Sequence, residues 1–560
     1  MLPIRAVLLA LLLPLLAPIV GAPPAAAATR EDADHFEAYF PAGDGINTLH
    51  ADVLRPKGIS PDKRTPVILT VSPYTNHSGE PLENGFANEG PSDRFYDFLD
   101  LSRILERGYT YVMVDLPGFG GSSGCNDWGG NREQDAVEAA VKWAASRPWS
   151  TGKVGMLGKS YDAWTGLMGV AQRPPGLEAV VAMEPVYSGY NYLYNRGVRF
   201  TNSVLTPALF QAIDATPGSV NDSPQYHVNG APQAWCYGLN QSLQQIDSPH
   251  DPFWLERNLL PPSRGSRVPL FLTQGFLETN TKQDAAFSYF NRLGSRANRA
   301  WYGQFDHVRG WEKTADGERS QTGRSPQRFI EQVLDFFAQH LKGRGTVRPG
   351  IEVQDNLGRY RREAAWPPAD ATTLWSRLNR GTYADDGTNQ ATGGPDDTGH
   401  GVWSVSQPLR HRAWLAGEPQ LRVRVETTAP RTNLVGLVYD IAPSGKARLV
   451  SRGANLFRGV GEQFATFRLY GQDWVLRRGH RIGVLLSGAD SSWWVHAPTM
   501  DTVRVESAGI GLPFLRRDRV AFLPGGSTPR LEEHLRQTAP VSRATIRGAD
   551  RTFSLPGRLR

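Results

Sequence analysis

At 560 residues the chain exceeds the roughly 250 to 300 at which a single hydrophobic core stops growing, so at least two domains are expected. Its 40% hydrophobic and 21% charged residues, with 15 Trp, 18 Tyr and 23 Phe, exclude a disordered chain and a small disulfide scaffold. The 61 Lys+Arg against 55 Asp+Glu leave +6, spread along the chain rather than gathered in a patch, which argues against nucleic-acid binding.

In chain order, residues 1–28 read as a signal peptide. One early cation, Arg5, precedes an apolar run over 6–20 that Pro14 and Pro18 interrupt, and small residues close it at 25–28. A membrane anchor needs about 20 unbroken apolar residues, so the expectation is a secreted, extracellular chain with no membrane anchor. Two cysteines follow, Cys125 and Cys236. In an oxidising compartment a disulfide between them is expected, the alternative being two separate buried thiols. No tight Cys/His cluster of the zinc type stands out, so no metal is expected.

From Thr65 the pattern alternates strand and helix. TPVILTVSPY (65–74) and YTYVMVDLPGFGGSSG (109–124) are apolar strands running into turns. EQDAVEAAVKWAASRP (133–148) repeats apolar residues at helical spacing, and KVGMLGKSYDAWTGLMGVAQRP (153–174) reads as strand, abrupt turn, helix. LEAVVAMEP (177–185) and VPLFLTQGF (268–276) are two more buried-looking strands, separated by about eighty residues without this rhythm, read as an inserted, partly helical cap. Such alternation predicts a mainly parallel sheet with its chemistry at the carboxyl ends of the strands. After a helix near 325–341 and the linker GRGTVRPG, short alternating runs such as LRVRVET (421–427) and RIGVLLSG (481–488) predict an antiparallel sandwich.

The chemistry sits at G-K-S-Y-D-A (158–163). A serine at a strand-to-helix turn has its hydroxyl exposed and the next backbone N–H aimed at a developing oxyanion, which makes Ser160 the candidate nucleophile rather than a helix N-cap. The base that such a serine needs is His307 in WYGQFDHVRGW, which follows the strand at 268–276 in the required order Ser, acid, His. The orienting acid comes from GFLETNTKQD. Glu278 directly follows the strand, whereas Asp284 is expected inside the next helix; both stay open as candidates. Tyr74, at the end of VILTVSPY, is positioned to offer a second oxyanion donor.

G-K-S-Y-D-A, VSPY, DLPGFGGSSG, GFLETNT and FDHVRGW, in this order, resemble the X-prolyl dipeptidyl aminopeptidase and cocaine esterase group of α/β-hydrolases. VQDNLGRYRREAAWPP (353–368) and LYGQDWVLRRGHRIGVLLSGADSSWW (469–494) resemble that group's jelly-roll domain. After the signal peptide (1–28), the resemblance implies an α/β-hydrolase core (29–185 and 268–345) interrupted by a helical cap (186–267), and a C-terminal jelly-roll β-sandwich (346–560). It implies Ser160 as nucleophile, His307 as base and then acid, Glu278 as orienting acid, and the Tyr74 hydroxyl with the Tyr161 amide as oxyanion hole. It implies no metal or organic cofactor, and a peptide or small acyl compound as substrate.

Two residues depart from the family pattern: Ala163 stands where it ends in Gly, and Glu278 where the acid is usually Asp. An enzyme that removes X-Pro dipeptides also needs a carboxylate for the free amine and an apolar proline pocket, for which Glu184, Trp164 and Tyr187 are the candidates. In SGYNYLYNRG, where family peptidases carry an acidic residue, this chain has Asn191 and Asn195. Three functions therefore compete: a dipeptidyl-peptidase cleaving after a penultimate proline, an esterase or acylase on small acyl compounds, and an inactive binding protein that uses its sandwich.

Overall fold

A computed structural model describes residues 30–77, 90–216, 218, 222–231, 234–388 and 401–549. The signal-peptide reading of 1–28 lies outside the described residues.

Ten strands form the larger sheet among the described residues. In chain order they are β1 (Ala33–Pro41), β2 (Thr48–Pro56), β3 (Thr65–Ser72), β4 (Thr110–Asp115), β5 (Ser150–Lys159), β6 (Leu177–Met183), β7 (Leu270–Gly275), β8 (Arg299–Gly303), β9 (Gly350–Gln354) and β10 (Tyr360–Glu363). Their spatial order is β1-β2-β4-β3-β5-β6-β7-β8-β9-β10. The run from β4 to β9 is parallel, and β1, β2 and β10 add antiparallel pairs at the two sides. Central strands covered on both faces must be apolar throughout, and every residue of β3 and of β4 is buried.

The helices that cover the sheet are α1 (Tyr96–Ser102), α2 (Asn131–Ser146), α3 (Tyr161–Gln172) and, after the cap helix α4 (Thr206–Asp214), α5 (Pro326–Lys342). One core packs α2 and α3 on one face through Val137, Val141, Leu167 and Met168. A second packs α1 and α5 on the other face through Leu99, Phe329, Val333 and Phe337. The helical spacing of these buried positions is what the sequence pattern carried. Among the described residues, six short α-helices, α4 among them, a 3-10 turn at Thr201–Ser203 and a two-residue hairpin, Tyr194–Asn195 with Val198–Arg199, lie between β6 and β7.

Among the described residues, the remainder is a sandwich of a seven-stranded and a five-stranded antiparallel sheet around Leu421, Leu434, Trp474 and Val484. Its expected start at 346 needs correction. β9 pairs in parallel with β8, and β10 folds back on β9, so the chain stays in the larger sheet to Glu363. The linker GRGTVRPG is an αβ connection within one sheet; its Gly and Pro content reads the same in either role. Just beyond, Arg361 donates twice to Asp473, at 2.7 and 2.6 Å, with both side chains buried, and Trp414 Nε1 donates to the same carboxylate at 2.8 Å. Trp494 is buried against Phe200 of the cap, and the Trp493 carbonyl accepts from the Thr201 amide. These tryptophans therefore join sandwich to cap.

Candidate active site

Ser160 lies between β5 and α3 with φ 66° and ψ −122°, a left-handed conformation that costs a residue with a Cβ about 1–3 kcal/mol and must be held by its surroundings. The Ser160 amide donates to Met183 O of β6 at 2.9 Å, while the Ala163 and Trp164 amides return to Ser160 O and start the helix. Gly158 permits the tight turn, because a Cβ there would sit 2.3 Å from the Asp162 carbonyl. Ala163 is fully buried, so the extra methyl at that departure from the family pattern is absorbed in the core.

The serine opens into a cavity of about 580 Å³. Tyr74 and Tyr161 stand beside it, Trp128, Trp164 and Val186 form a wall, and Thr206 and Phe210 of α4 reach over from the cap. Tyr74 is held by the Arg94 guanidinium 4.1 Å from its ring centre and by the edge of the Tyr161 ring. Arg94 in turn donates to buried Asp162 at 2.7 Å. The Tyr161 hydroxyl donates to Glu133 at 2.7 Å, which fixes the side chain next to the nucleophile. Burial pushes the Glu133 carboxyl up to about 7, and Asp127 adds to it.

Glu278 and His307 come from the loops after β7 and β8, with Nδ1 of the imidazole 3.2 Å from Oε1 of the carboxylate. Burial opposes the Glu278 charge, but His307, the Thr281 hydroxyl and the Asn280 amide outweigh it and hold the carboxyl below its ordinary range. The Asn280 amide donates at 2.7 Å. Burial also lowers the His307 imidazole below its ordinary range; the Lys159 charge adds to this, and Glu278 acts the other way. A neutral imidazole at neutral pH is the form able to take a proton.

Asp306, which adjoins His307, carries no sequence signal of its role. Its Oδ1 accepts from the His307 amide and from the Thr279 amide and hydroxyl, each at 2.9 Å, and so joins the loop of the base to the loop of the acid. Arg530, from the sandwich side, reaches Asp306 at 3.2 Å. Trp128 and Phe210 carry no such signal either, because nothing local links them to Ser160.

Three sequence expectations are corrected. Asp284 lies in the turn before the helix Ala286–Phe290, not inside it, and accepts from Asn195 Nδ2 at 3.0 Å, while the imidazole faces Glu278. Glu184 is fully buried and points into β7, accepting from the Gly275 amide at 3.0 Å, Gln274 Nε2 at 3.1 Å and the Thr273 hydroxyl at 3.2 Å. Burial, with the Glu278 charge, pushes its carboxyl well up, so it braces strands and is not presented to substrate. Tyr187 also turns inward and donates to Gln274 Oε1 at 2.8 Å, whereas its neighbour Val186 faces the cavity. Trp164 does line the cavity. Cys125 and Cys236 form a disulfide with Cα atoms 5.9 Å apart, joining the Gly-rich loop after β4 to the cap helix Ala234–Leu243.

Comparison with known proteins agrees with this architecture. A candidate Xaa-Pro dipeptidyl-peptidase of Streptomyces avermitilis is 23% identical over 451 residues, which is 72% of this chain; the chain spans 63% of that relative's length. A CocE/NonD family hydrolase from Staphylococcus aureus superimposes with a TM-score of 0.65 at 15% identity, over 87% of this chain and 98% of its own. An α-amino acid ester hydrolase does so with a TM-score of 0.64 at 19% identity, over 90% of this chain and 100% of its own. At these identities the structures establish a shared α/β-hydrolase fold. The family model for the X-Pro dipeptidyl-peptidase (S15 family) matches residues 44–309, and that for the X-Pro dipeptidyl-peptidase C-terminal non-catalytic domain matches 239–458. With the two models together spanning residues 44–458, which hold most of the larger sheet, the cap and much of the sandwich, the chain belongs to the X-Pro dipeptidyl-peptidase (S15) family.

Proposed function

We propose that the chain is a serine hydrolase that forms an acyl-enzyme on Ser160 and acts on esters and amides whose acyl part is small, apolar and uncharged. In this reading His307 takes the Ser160 proton, Glu278 stabilises the resulting imidazolium, and the Tyr74 hydroxyl and Tyr161 amide receive the oxyanion. Water then attacks the acyl-enzyme with His307 again as base. The observation that carries the reading is the strained Ser160 turn opening into an aromatic cavity whose polar lining side chains, among the described residues, are hydroxyls, the Trp128 and Trp164 indoles and the Asn202 and Asn280 amides, without a carboxylate.

That lining bears on specificity. A free α-amine brought into an apolar cavity needs an opposing charge, and Glu184, the candidate for it, is turned into β7. Release of X-Pro dipeptides is the second reading, favoured by family membership. Turnover of Ala-Pro-p-nitroanilide, of its N-acylated form and of p-nitrophenyl butyrate separates the two. The proposal expects ester cleavage and no gain from a free amine; a strict requirement for the free amine overturns it in favour of the dipeptidyl-peptidase. Ser160→Ala should lose several orders of magnitude on every substrate cleaved, and full activity in that variant would remove Ser160 from the mechanism.

We further propose that the mature protein works outside the cytoplasmic membrane. The leader-like residues 1–28 and the Cys125–Cys236 pair support this. N-terminal sequencing of the protein from culture supernatant tests it: a start beyond residue 28 is expected, and retention in the cell with Met1 present refutes it.

A further inference from the structure

Away from the serine, the hairpin β1–β2 builds a second constellation. Period-two alternation puts His35, Glu37 and Tyr39 on one face of β1, and the antiparallel register sets Glu37 opposite Asp52 and Tyr39 opposite His50. His77, three residues beyond Tyr74, meets this face, so that the rings of His50 and His77 lie edge to face with centroids 5.0 Å apart. Both imidazoles are buried. Each has its Nδ1 against a carboxylate: His50 on Asp115 at 2.9 Å and His77 on Asp222 at 2.7 Å. Their Nε2 atoms converge. His50 Nε2 has no hydrogen-bond partner and lies 3.5 Å from Glu37 Oε2, while His77 Nε2 lies 3.1 Å from Asp52 Oδ2. One donor atom from each of Glu37, His50 and His77 lies within 4.8 Å of the others.

We infer that this cluster binds one divalent transition-metal cation of the zinc type through His50 Nε2, His77 Nε2 and Glu37, with water as the fourth donor. Imidazole nitrogen and carboxylate oxygen are the donor types such a cation takes. Bonds of about 2.0–2.1 Å at tetrahedral angles separate donor atoms by about 3.4 Å, close to the 3.5 Å between His50 Nε2 and Glu37 Oε2. The outer partners are already in place. Metal-bound histidines hand their other N–H to a carboxylate, as both do here. Glu37 receives the Tyr39 hydroxyl at 3.1 Å.

The ion would clamp three segments together: the β1–β2 hairpin, the Tyr74–His77 loop and the cap, which meets that loop through Asp222 and through the Tyr226 hydroxyl accepting from the His77 amide at 3.0 Å.

The test uses the full-length, tag-free protein stripped with chelator and titrated with Zn²⁺ by calorimetry, with Co²⁺ absorption as a parallel probe. The expected result is one equivalent bound, a raised Tm, and Co²⁺ bands of a four-coordinate nitrogen/oxygen site. Glu37→Gln, at a partly exposed strand position, should weaken binding at least about tenfold, the scale on which even outer-partner losses act, and His50→Gln should abolish it. Should His50→Gln fail to fold, Glu37→Gln and the Co²⁺ spectrum of the wild type decide. No saturable uptake by the wild type overturns the site and leaves an ion-pair network; uptake unchanged in Glu37→Gln overturns it by placing the ion elsewhere.

Discussion

Replacing the acid behind the base isolates one charge. In Glu278→Gln the side chain keeps its length but loses the carboxylate that faces Nδ1 of His307 at 3.2 Å. When His307 takes the serine proton, the imidazolium is attracted to that carboxylate by about 5 kcal/mol, from 332/(εr) with an effective ε of about 20. At 1.36 kcal/mol per factor of ten, its loss corresponds to about 10⁴ in rate. The amide dipole recovers part of this, so a fall of about 10³ to 10⁴ in kcat is expected. Initial rates on p-nitrophenyl butyrate across a pH series read it directly, with circular dichroism and thermal melts to show that the fold survives. The sign of the pH effect is a second check. The active base is the neutral imidazole, so activity falls as pH drops through the His307 pKa, which burial places below the ordinary histidine range. Glu278 favours the charged ring, so its removal should move the acid limb to still lower pH. A loss smaller than about tenfold in Glu278→Gln, or an equal loss in Asp284→Asn, would refute the assignment of the acid.

Three more outcomes follow from the same geometry. The Cys125–Cys236 bridge spans a sequence separation of 111, for which chain entropy gives about 5 kcal/mol, so Cys236→Ser should lower Tm by calorimetry; an unchanged Tm counts against the tether. Glu184 is raised well above the ordinary 4.5 by burial, so its folded form holds the proton more tightly and stability is lost as pH rises from 4.5 through the folded pKa. Glu184→Gln has no such proton to lose, and its Tm relative to wild type should climb over that interval; a constant difference would show that Glu184 is ionised in the fold. Phe210→Ala should open the cap side of the cavity and raise kcat/KM for longer p-nitrophenyl esters relative to the acetate, by about 0.8 kcal/mol or roughly fourfold for each added CH₂ that it buries; an unchanged chain-length profile would place the acyl group elsewhere.

The sequence carried the α/β alternation because central parallel strands buried on both faces must be apolar, as β3 and β4 are. The candidate serine was legible for a related reason: a strand, a Gly and a helix leave one geometry for Ser160. Side-chain direction was not legible. Val186 and Tyr187 are neighbours facing opposite ways, and Glu184, one residue past β6 at φ 48°, turns into the sheet where an extended residue would not. The hairpin β1–β2 escaped because it stands outside the βα rhythm. The His50–His77 cluster escaped with it, since its donors come from three separate segments and no spacing rule joins them. Trp128 and Phe210 meet Ser160 only through tertiary packing.

The passage of the chain through β9 and β10 before it enters the sandwich makes the two halves inseparable as products. A polypeptide ended at 345 would leave β8 as a raw edge, offering the unpaired N–H and C=O groups that β9 now covers to the next molecule in solution, which is the geometry of self-association. The other half, begun at 346, would carry Arg361 without its place in a sheet and Asp473 without a fixed partner, and breaking a buried ion pair costs about 3–5 kcal/mol. Shuffling catalytic and sandwich modules between relatives therefore requires a seam after Glu363, with Arg361 and Asp473 moved as a pair.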